Sequence, residues 1–270
     1  MRLLLMFVVL LGMPLLVRAQ AAPLINPVGT AATNAASDSV AIDPVLQQLE
    51  QVGKNLKDFS AKLKLTEIDN ALGTSTVRVG DVWFAKNPDG SARIHVLFNK
   101  RIDPETHRAY PKDKVEYLLD GMYLIDRNYQ TKNEVKRQVL KPGQKLNLFK
   151  LGEGPFPLPI GQDPKDVHQQ FDVKRIAPDK DDPANTTHLQ LTPKPGTDLA
   201  RQFHSLDVWV DNRTHMPARV DTMDVKQLTT RSTELSDISV NPPDGLPPGD
   251  FQLPNIDNER WNRSVESLRD

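Results

Sequence analysis

The chain has no cysteine among its 270 residues, which excludes disulfides, a thiol nucleophile and a lipid anchor attached through cysteine. Its six histidines are scattered and lack the H-x-H or H-E-x-x-H spacing of metal sites. No nucleophile elbow, phosphate-binding loop or dinucleotide fingerprint follows a predicted strand. The aspartates Asp179, Asp181 and Asp182 lack the glycine and distal glutamate of a calcium loop. We therefore expect a protein that is not an enzyme and uses neither a metal nor a cofactor.

An excess of charge of one sign is also missing, because the formal net charge is only −1. This balance does not indicate binding to nucleic acid or to an anionic membrane surface. Proline (22 residues) outnumbers glycine (14 residues), which favours turns and extended segments over a helical bundle. We expect a strand-rich monomer without a nucleic-acid partner.

The N-terminus has the pattern of a secretory signal peptide. Arg2 precedes an apolar run over residues 3–17, and an Ala-Gln-Ala site follows at residues 19–21. The run is shorter than the roughly 20 residues of a membrane-spanning helix, so a retained anchor is the less favoured alternative. We predict that this signal peptide is removed after Ala19 or Ala21 and that the mature protein works outside the cytoplasm. Residues 22–42 have no apolar periodicity and are expected to form a disordered leader.

An amphipathic helix is predicted to begin at Asp43 and Pro44, which suit the N-cap and the first helical position. The apolar residues that follow recur every three or four positions, so they share one face that must cover another apolar surface. The apolar face of the helix is predicted to comprise Val45, Leu49, Val52, Leu56 and Phe59.

The rest of the chain is dominated by strand patterns. Asp120-Gly121 between two apolar runs predicts a β-hairpin, and successive hairpins without helical crossovers favour antiparallel pairing. We predict a mainly β (α+β) fold with one strongly curved antiparallel sheet of about ten or eleven strands. The domain spans residues 43–256, with the helix in the concave side of the sheet, and residues 257–270 form a polar C-terminal tail.

Apolar side chains alternate along several predicted strands and point to a common face. Two interpretations remain open at this point: a packed core, or a cavity that binds an apolar ligand. The candidate cavity residues are Trp83, Ile94, Val96, Phe98, Leu124, Val208 and Val210.

Residues 206–254 contain an apolar strand-turn-strand followed by an Asn-Pro-Pro motif, with a phenylalanine and a proline further on. Residues 80–88 have the pattern G-x-V-W-F-x-K-x-P, and residues 120–126 contain an Asp-Gly hairpin. These three segments together resemble the outer-membrane lipoprotein carrier family, which includes LolA-like and LolB-like proteins. Residues 151–161 (LGEGPFPLPIG) are absent from the best-known carriers and are similar to a divergent, planctomycete-type branch.

The resemblance implies an incomplete β-barrel with a helical lid over an apolar cavity. It also implies that the protein carries lipid acyl chains or lipoproteins across the periplasm by binding alone. Arg93 is the nearest match to an arginine that holds the lid closed in this family. The alternative is a non-enzymatic envelope module with a filled barrel, which binds a protein partner through residues 151–161.

Overall fold

The structure, a computed structural model, describes residues 35–87, 91–141, 160–257 and 260–268. Within these ranges the helices are α1 (Ala35–Asn55) and α2 (Pro164–Gln170). The strands are β1 (Asp58–Asp69), β2 (Thr74–Lys86), β3 (Ala92–Ile102), β4 (Ala109–Tyr110), β5 (Val115–Asp120), β6 (Tyr123–Asn128), β7 (Asn133–Gln138), β8 (Phe171–Ile176), β9 (Thr186–Pro193), β10 (Phe203–Asp211), β11 (Pro217–Asp224), β12 (Thr229–Val240) and β13 (Asn262–Glu266). The predicted signal peptide and residues 151–159 lie outside the described residues.

The thirteen strands of the described ranges form one large, curved, open sheet. Its order is β13-β7-β6-β5-β3-β2-β1-β12-β11-β10-β9-β8, and β4 pairs with the end of β3. Neighbouring strands run antiparallel, except that β13 lies parallel to β7. The predicted fold class is confirmed. The number of strands exceeds the prediction because β4 has only two residues and β13 is exposed throughout, so neither has an apolar alternation that sequence could reveal.

The centre of the sheet is β1, which pairs with β2 on one side and with β12 on the other. Its residues alternate between the concave face, called the inner face below, and the convex outer face. Gly80 lies on β2 where the register with β3 shifts. A Cβ atom on Gly80 would lie 1.8 Å from the carbonyl oxygen of Leu97, so the two strands can approach only because this residue is glycine.

Helix α1 begins and ends earlier than predicted. It starts at Ala35, contains Pro44 and ends at Asn55, so residues 35–42 of the predicted leader are helical, while residues 22–34 lie outside the described residues. Leu56 directly follows the helix, and Phe59 belongs to β1. The side chain of Asn241 caps this end of the helix. It forms hydrogen bonds with backbone groups that a longer helix would use for its own hydrogen bonds.

The C-terminal tail was expected to be polar and without a strand, but it contributes β13 at the edge of the sheet. All five residues of this strand are exposed, so it adds backbone pairing without apolar burial. Among the described residues, no helix is long and apolar enough to cross a membrane.

Candidate functional site

The inner face of the sheet forms the main apolar surface. Six of the seven predicted cavity residues lie on it, and each is at most 6% exposed. They belong to one continuous core that also contains side chains of α1. These six residues are Ile94, Val96, Phe98, Leu124, Val208 and Val210.

Helix α1 contributes its own apolar stripe to this core. Ile42, Leu46 and Leu49 are buried, whereas Val45 and Val52 are only partly buried. The buried stripe is therefore rotated slightly from the predicted one, with Leu49 common to both. The predicted lid residues Leu56 and Phe59 are also buried in the core, but they lie beyond the end of the helix.

A few polar contacts fix α1 against the sheet. The backbone N–H of Gly161 donates to the carbonyl of Leu49 at 3.0 Å, and Lys86 Nζ donates to the carbonyl of Gly53 at 3.0 Å. A Cβ atom on Gly53 would lie 2.3 Å from the backbone nitrogen of Gly161, so the helix and this segment touch through their backbones. Near the middle of α1, Asp43 accepts a hydrogen bond from His168 of α2 at 2.8 Å. Most of the helix–sheet contact is thus apolar.

The seventh predicted cavity residue, Trp83, lies on the outer face. It sits between Val82 and Phe84, which are buried in the inner core, and strand alternation turns it to the opposite side. Its ring stacks on His95, with ring centroids 5.1 Å apart. The sequence reveals the alternation but not which of the two apolar faces meets the helix.

Arg93 also points to the outer face, since the next residue, Ile94, faces the inner core. Its guanidinium lies 4.5 Å from the centroid of the Phe251 ring. Its Nε atom is buried and has no hydrogen-bond partner. Arg93 therefore packs on the C-terminal segment, on the opposite face of the sheet from α1, and the structure does not bring it to the predicted lid.

Residues 241–257, called the strap below, cross the outer face after β12. The strap contains the Asn-Pro-Pro motif of the sequence resemblance. Asn241 begins it, Asp250 accepts a hydrogen bond through its carbonyl from His95 Nδ1 at 2.5 Å, and Pro254 accepts one from Arg127 Nη1 at 2.6 Å. The strap thus connects β3 and β6 across the outer face, a role that sequence alone did not indicate.

A buried polar network lies beneath the strap. His95 and Glu116 are 4% and 1% exposed, and His95 Nε2 lies 3.0 Å from Glu116 Oε1. The Tyr129 hydroxyl donates to the other oxygen of Glu116. Burial would raise the pKa of Glu116, but the hydrogen bonds from His95 and Tyr129 outweigh it and leave the pKa below its ordinary value. Burial and the contact with Glu116 raise the pKa of Tyr129 to about 12.

Beside the apolar part of the inner face lies a polar part that sequence analysis missed. Glu67 pairs with Arg231 at 2.7 Å, and Asp126 pairs with Arg137 at 3.4 Å. Burial raises the pKa of Asp126, although the charge of Arg137 opposes this effect. The sequence did contain a signal for this polar part. The period-two alternation of β1 continues past Leu65 and places charged residues on the inner side.

The described residues contain no group of three or more histidines and carboxylates able to hold a metal ion. A groove of about 470 Å3 runs between the solvent side of α1 and the rim of the sheet. Its lining includes Gln47, Gln48 and Gln51 from α1, together with His215 from the turn before β11. The six buried cavity candidates do not line this groove.

Several solved structures are similar to this chain. One is a chain of the Pseudomonas aeruginosa MucA/MucB complex, with a TM-score of 0.46 and 12% identity, covering 79% of this chain and 61% of that chain. A LolA superfamily protein from Nitrosomonas europaea has a TM-score of 0.32 and 10% identity, covering 78% and 96%. A putative outer membrane lipoprotein-sorting protein domain from Vibrio parahaemolyticus has a TM-score of 0.35 and 13% identity, covering 77% and 94%.

One of these structures is of a LolA superfamily protein, the kind of protein whose sequence motifs this chain resembles. The likeness concerns the fold alone, and this chain spans less than two thirds of the matched chain in the MucA/MucB complex. No family model and no curated protein matches the sequence.

Proposed function

We propose that this protein is a non-enzymatic periplasmic carrier that holds acyl chains of lipids or lipoproteins against the inner face of its sheet. In this proposal α1 is the lid, and it occupies the apolar surface when no ligand is bound. The protein is exported, its signal peptide is removed after Ala19 or Ala21, and the mature chain acts as a monomer. N-terminal sequencing of the periplasmic protein tests the export step, because an intact residue 1 would contradict cleavage.

The main support is the single core that α1 shares with the strands. Leu46 and Leu49 are at most 1% exposed, and they meet strand residues that would form a curved apolar surface if the helix moved. The hydrogen bonds that hold α1 are few, so a competing apolar chain would replace mainly non-directional contacts.

The energies make such an exchange feasible. Burial of a leucine side chain stabilises by about 1.5–3 kcal/mol, so release of Leu46 and Leu49 costs about 3–6 kcal/mol. A buried acyl chain of about 16 carbons gains about 12 kcal/mol at about 0.8 kcal/mol per methylene. The surplus offsets the loss of chain freedom on binding, which leaves a net affinity small enough for reversible loading and release.

A cross-link that prevents α1 from moving tests the proposal. Asp43 and His168 are in contact at 2.8 Å, both partly exposed, and join α1 to α2. Because the chain has no cysteine, the double variant Asp43→Cys/His168→Cys can be cross-linked selectively with a short bifunctional thiol reagent. We expect the cross-linked protein to lose binding of a fluorescent fatty acid, and the same variant without cross-linker to retain it.

The matched control places the same cross-link away from the lid. Lys64 and Glu234 form an ion pair at 2.8 Å between β1 and β12 on the outer face. Cross-linked Lys64→Cys/Glu234→Cys should bind the probe like the unmodified protein. Equal binding by both cross-linked proteins would contradict a moving lid. Absence of lipid, both in solvent extracts of the purified protein and in probe titrations, would reject the carrier.

A filled envelope module that binds a protein remains the second candidate. It is favoured by the glutamine-lined groove beside α1, which offers amide groups to an extended peptide without moving the helix. Gln48→Arg would obstruct this groove without touching the core. Loss of a protein partner in this variant, with no lipid binding by the native chain, would favour the module over the carrier.

A further inference from the structure

The polar part of the inner face begins directly beside the apolar part. Phe98 of β3 lies opposite Gly80 of β2, and Arg78 occupies the next inner position along β2, opposite Leu65. Successive residues on one face of a strand are about 7 Å apart. The Arg78 guanidinium is therefore within reach of a ligand whose apolar chain contacts Phe98.

Arg78 differs from the other arginines of this face in having no counter-charge. Arg231 pairs with Glu67, Arg137 pairs with Asp126, and Arg101, opposite Arg78 on β3, pairs with Asp113 at 2.6 Å. Arg78 is only partly exposed, and no hydrogen bond or ion pair joins it to any described residue.

A desolvated group, the Tyr117 hydroxyl, lies near enough to Arg78 for the guanidinium charge to affect its pKa. Burial raises the pKa of the Tyr117 hydroxyl, the charge of Asp126 adds to this rise, and the charges of Arg78 and Arg137 oppose it. Tyr117 lies opposite Val96, on the border of the apolar surface. An unpaired guanidinium in such a place loses hydration without gaining a partner, and anionic oxygens are the groups that it binds most strongly.

We propose that Arg78 binds the anionic head group of an amphiphile whose acyl chain lies along the inner face. This inference rests on the proposed carrier function and specifies its ligand class. The head group is a carboxylate or a phosphate, which corresponds to a free fatty acid or a phospholipid. Neutral amphiphiles with the same chain bind the apolar surface but do not engage Arg78.

The contribution of the head group to binding can be measured with three ligands that share a 16-carbon chain: palmitate, hexadecyl phosphate and hexadecanol. Each displaces a fluorescent fatty acid from the full-length mature protein. We expect at least one anionic ligand to bind about tenfold more tightly than hexadecanol, as one charge-assisted contact would give. The stronger of the two anions identifies carboxylate or phosphate as the preferred head group.

Arg78→Met keeps an unbranched, flexible side chain and removes its charge. We expect this variant to bind all three ligands within threefold of one another, with the affinity for hexadecanol unchanged. Arg78→Gln is the second neutral variant, and hexadecanol binding reports that each variant is folded. Arg78→Lys should retain most of the preference for anions. The matched control, Arg175→Met, changes an exposed arginine of β8 and should behave like the unmodified protein.

The outcomes distinguish this inference from the proposal beneath it. If the unmodified protein binds hexadecanol as tightly as the anions, or if both neutral variants retain a tenfold preference for anions, Arg78 is not the head-group site and the carrier proposal stands. If none of the three ligands binds, the carrier proposal fails, and the head-group site fails with it.

Discussion

Asn241 joins three parts of the molecule, so its replacement has a large predicted effect for an exposed residue. Its Oδ1 accepts hydrogen bonds from the backbone N–H groups of Lys57 at 2.7 Å and Asp58 at 3.2 Å. Its Nδ2 donates to the carbonyl of Asn55 at 3.0 Å. The same residue begins the strap, and its φ of 48° lies in the left-handed region, which asparagine tolerates better than alanine.

The predicted cost of Asn241→Ala has two parts. Each hydrogen bond contributes about 1 kcal/mol, and the exposure of Asn241 to solvent reduces the sum of three to about 1.5 kcal/mol. Alanine at a positive φ costs about 1 kcal/mol more. We therefore expect Asn241→Ala to lower the free energy of unfolding by about 2–3 kcal/mol. Asn241→Gly removes only the hydrogen bonds, and Asn241→Asp keeps both acceptor contacts, so their costs are smaller.

Urea unfolding followed by tryptophan fluorescence measures this series. The midpoint should fall in the order Asp, Gly, Ala, with an unchanged dependence of the free energy on urea concentration. A loss below about 0.5 kcal/mol for Asn241→Ala would refute the reasoning, since surface substitutions without a specific role fall in that range. A glycine variant less stable than the alanine variant would refute the part of the argument that depends on φ.

Two further predictions concern the sheet. Gly80→Ala should lower the free energy of unfolding by about 3 kcal/mol or more, because its Cβ would lie 1.8 Å from the carbonyl oxygen of Leu97. The control is Gly249→Ala, which has no atom within 4 Å of the added Cβ. This control should change the free energy of unfolding little in the same urea titration. Hydrogen bonds hold the pKa of Glu116 below its unfolded value, so its contribution to stability is present above that value and is lost as pH falls. Between about pH 5 and pH 3, unfolding measurements should show a smaller loss of stability for Glu116→Gln than for the unmodified protein, whereas the exposed control Glu105→Gln should follow the unmodified protein.

The period-two pattern of the strands was sufficient to predict the fold class and most of the apolar inner face. Ile94, Val96 and Phe98 alternate over a run long enough that only one face can be continuously buried. Trp83 shows the limit of this reasoning. Both faces of β2 are apolar near Trp83, and only the position of α1 decides which face is inner. That position depends on contacts far apart in sequence, such as Leu49 with Gly161.

The position of Arg93 also depends on contacts that are far apart in sequence. It shows that the C-terminal strap covers the outer face of the sheet. Sequence spacing can place an arginine on an early strand, but it cannot show that a segment about 150 residues later returns to cover that strand's outer face. The strap supplies this cover through Phe251, while α1 covers the inner face through Leu49. Since the two covers lie on opposite sides of the same strands, the movement of α1 in the proposed carrier function would not require the strap to leave the outer face. The carrier proposal therefore predicts that the lid cross-link should block binding, whereas strap substitutions should mainly change stability.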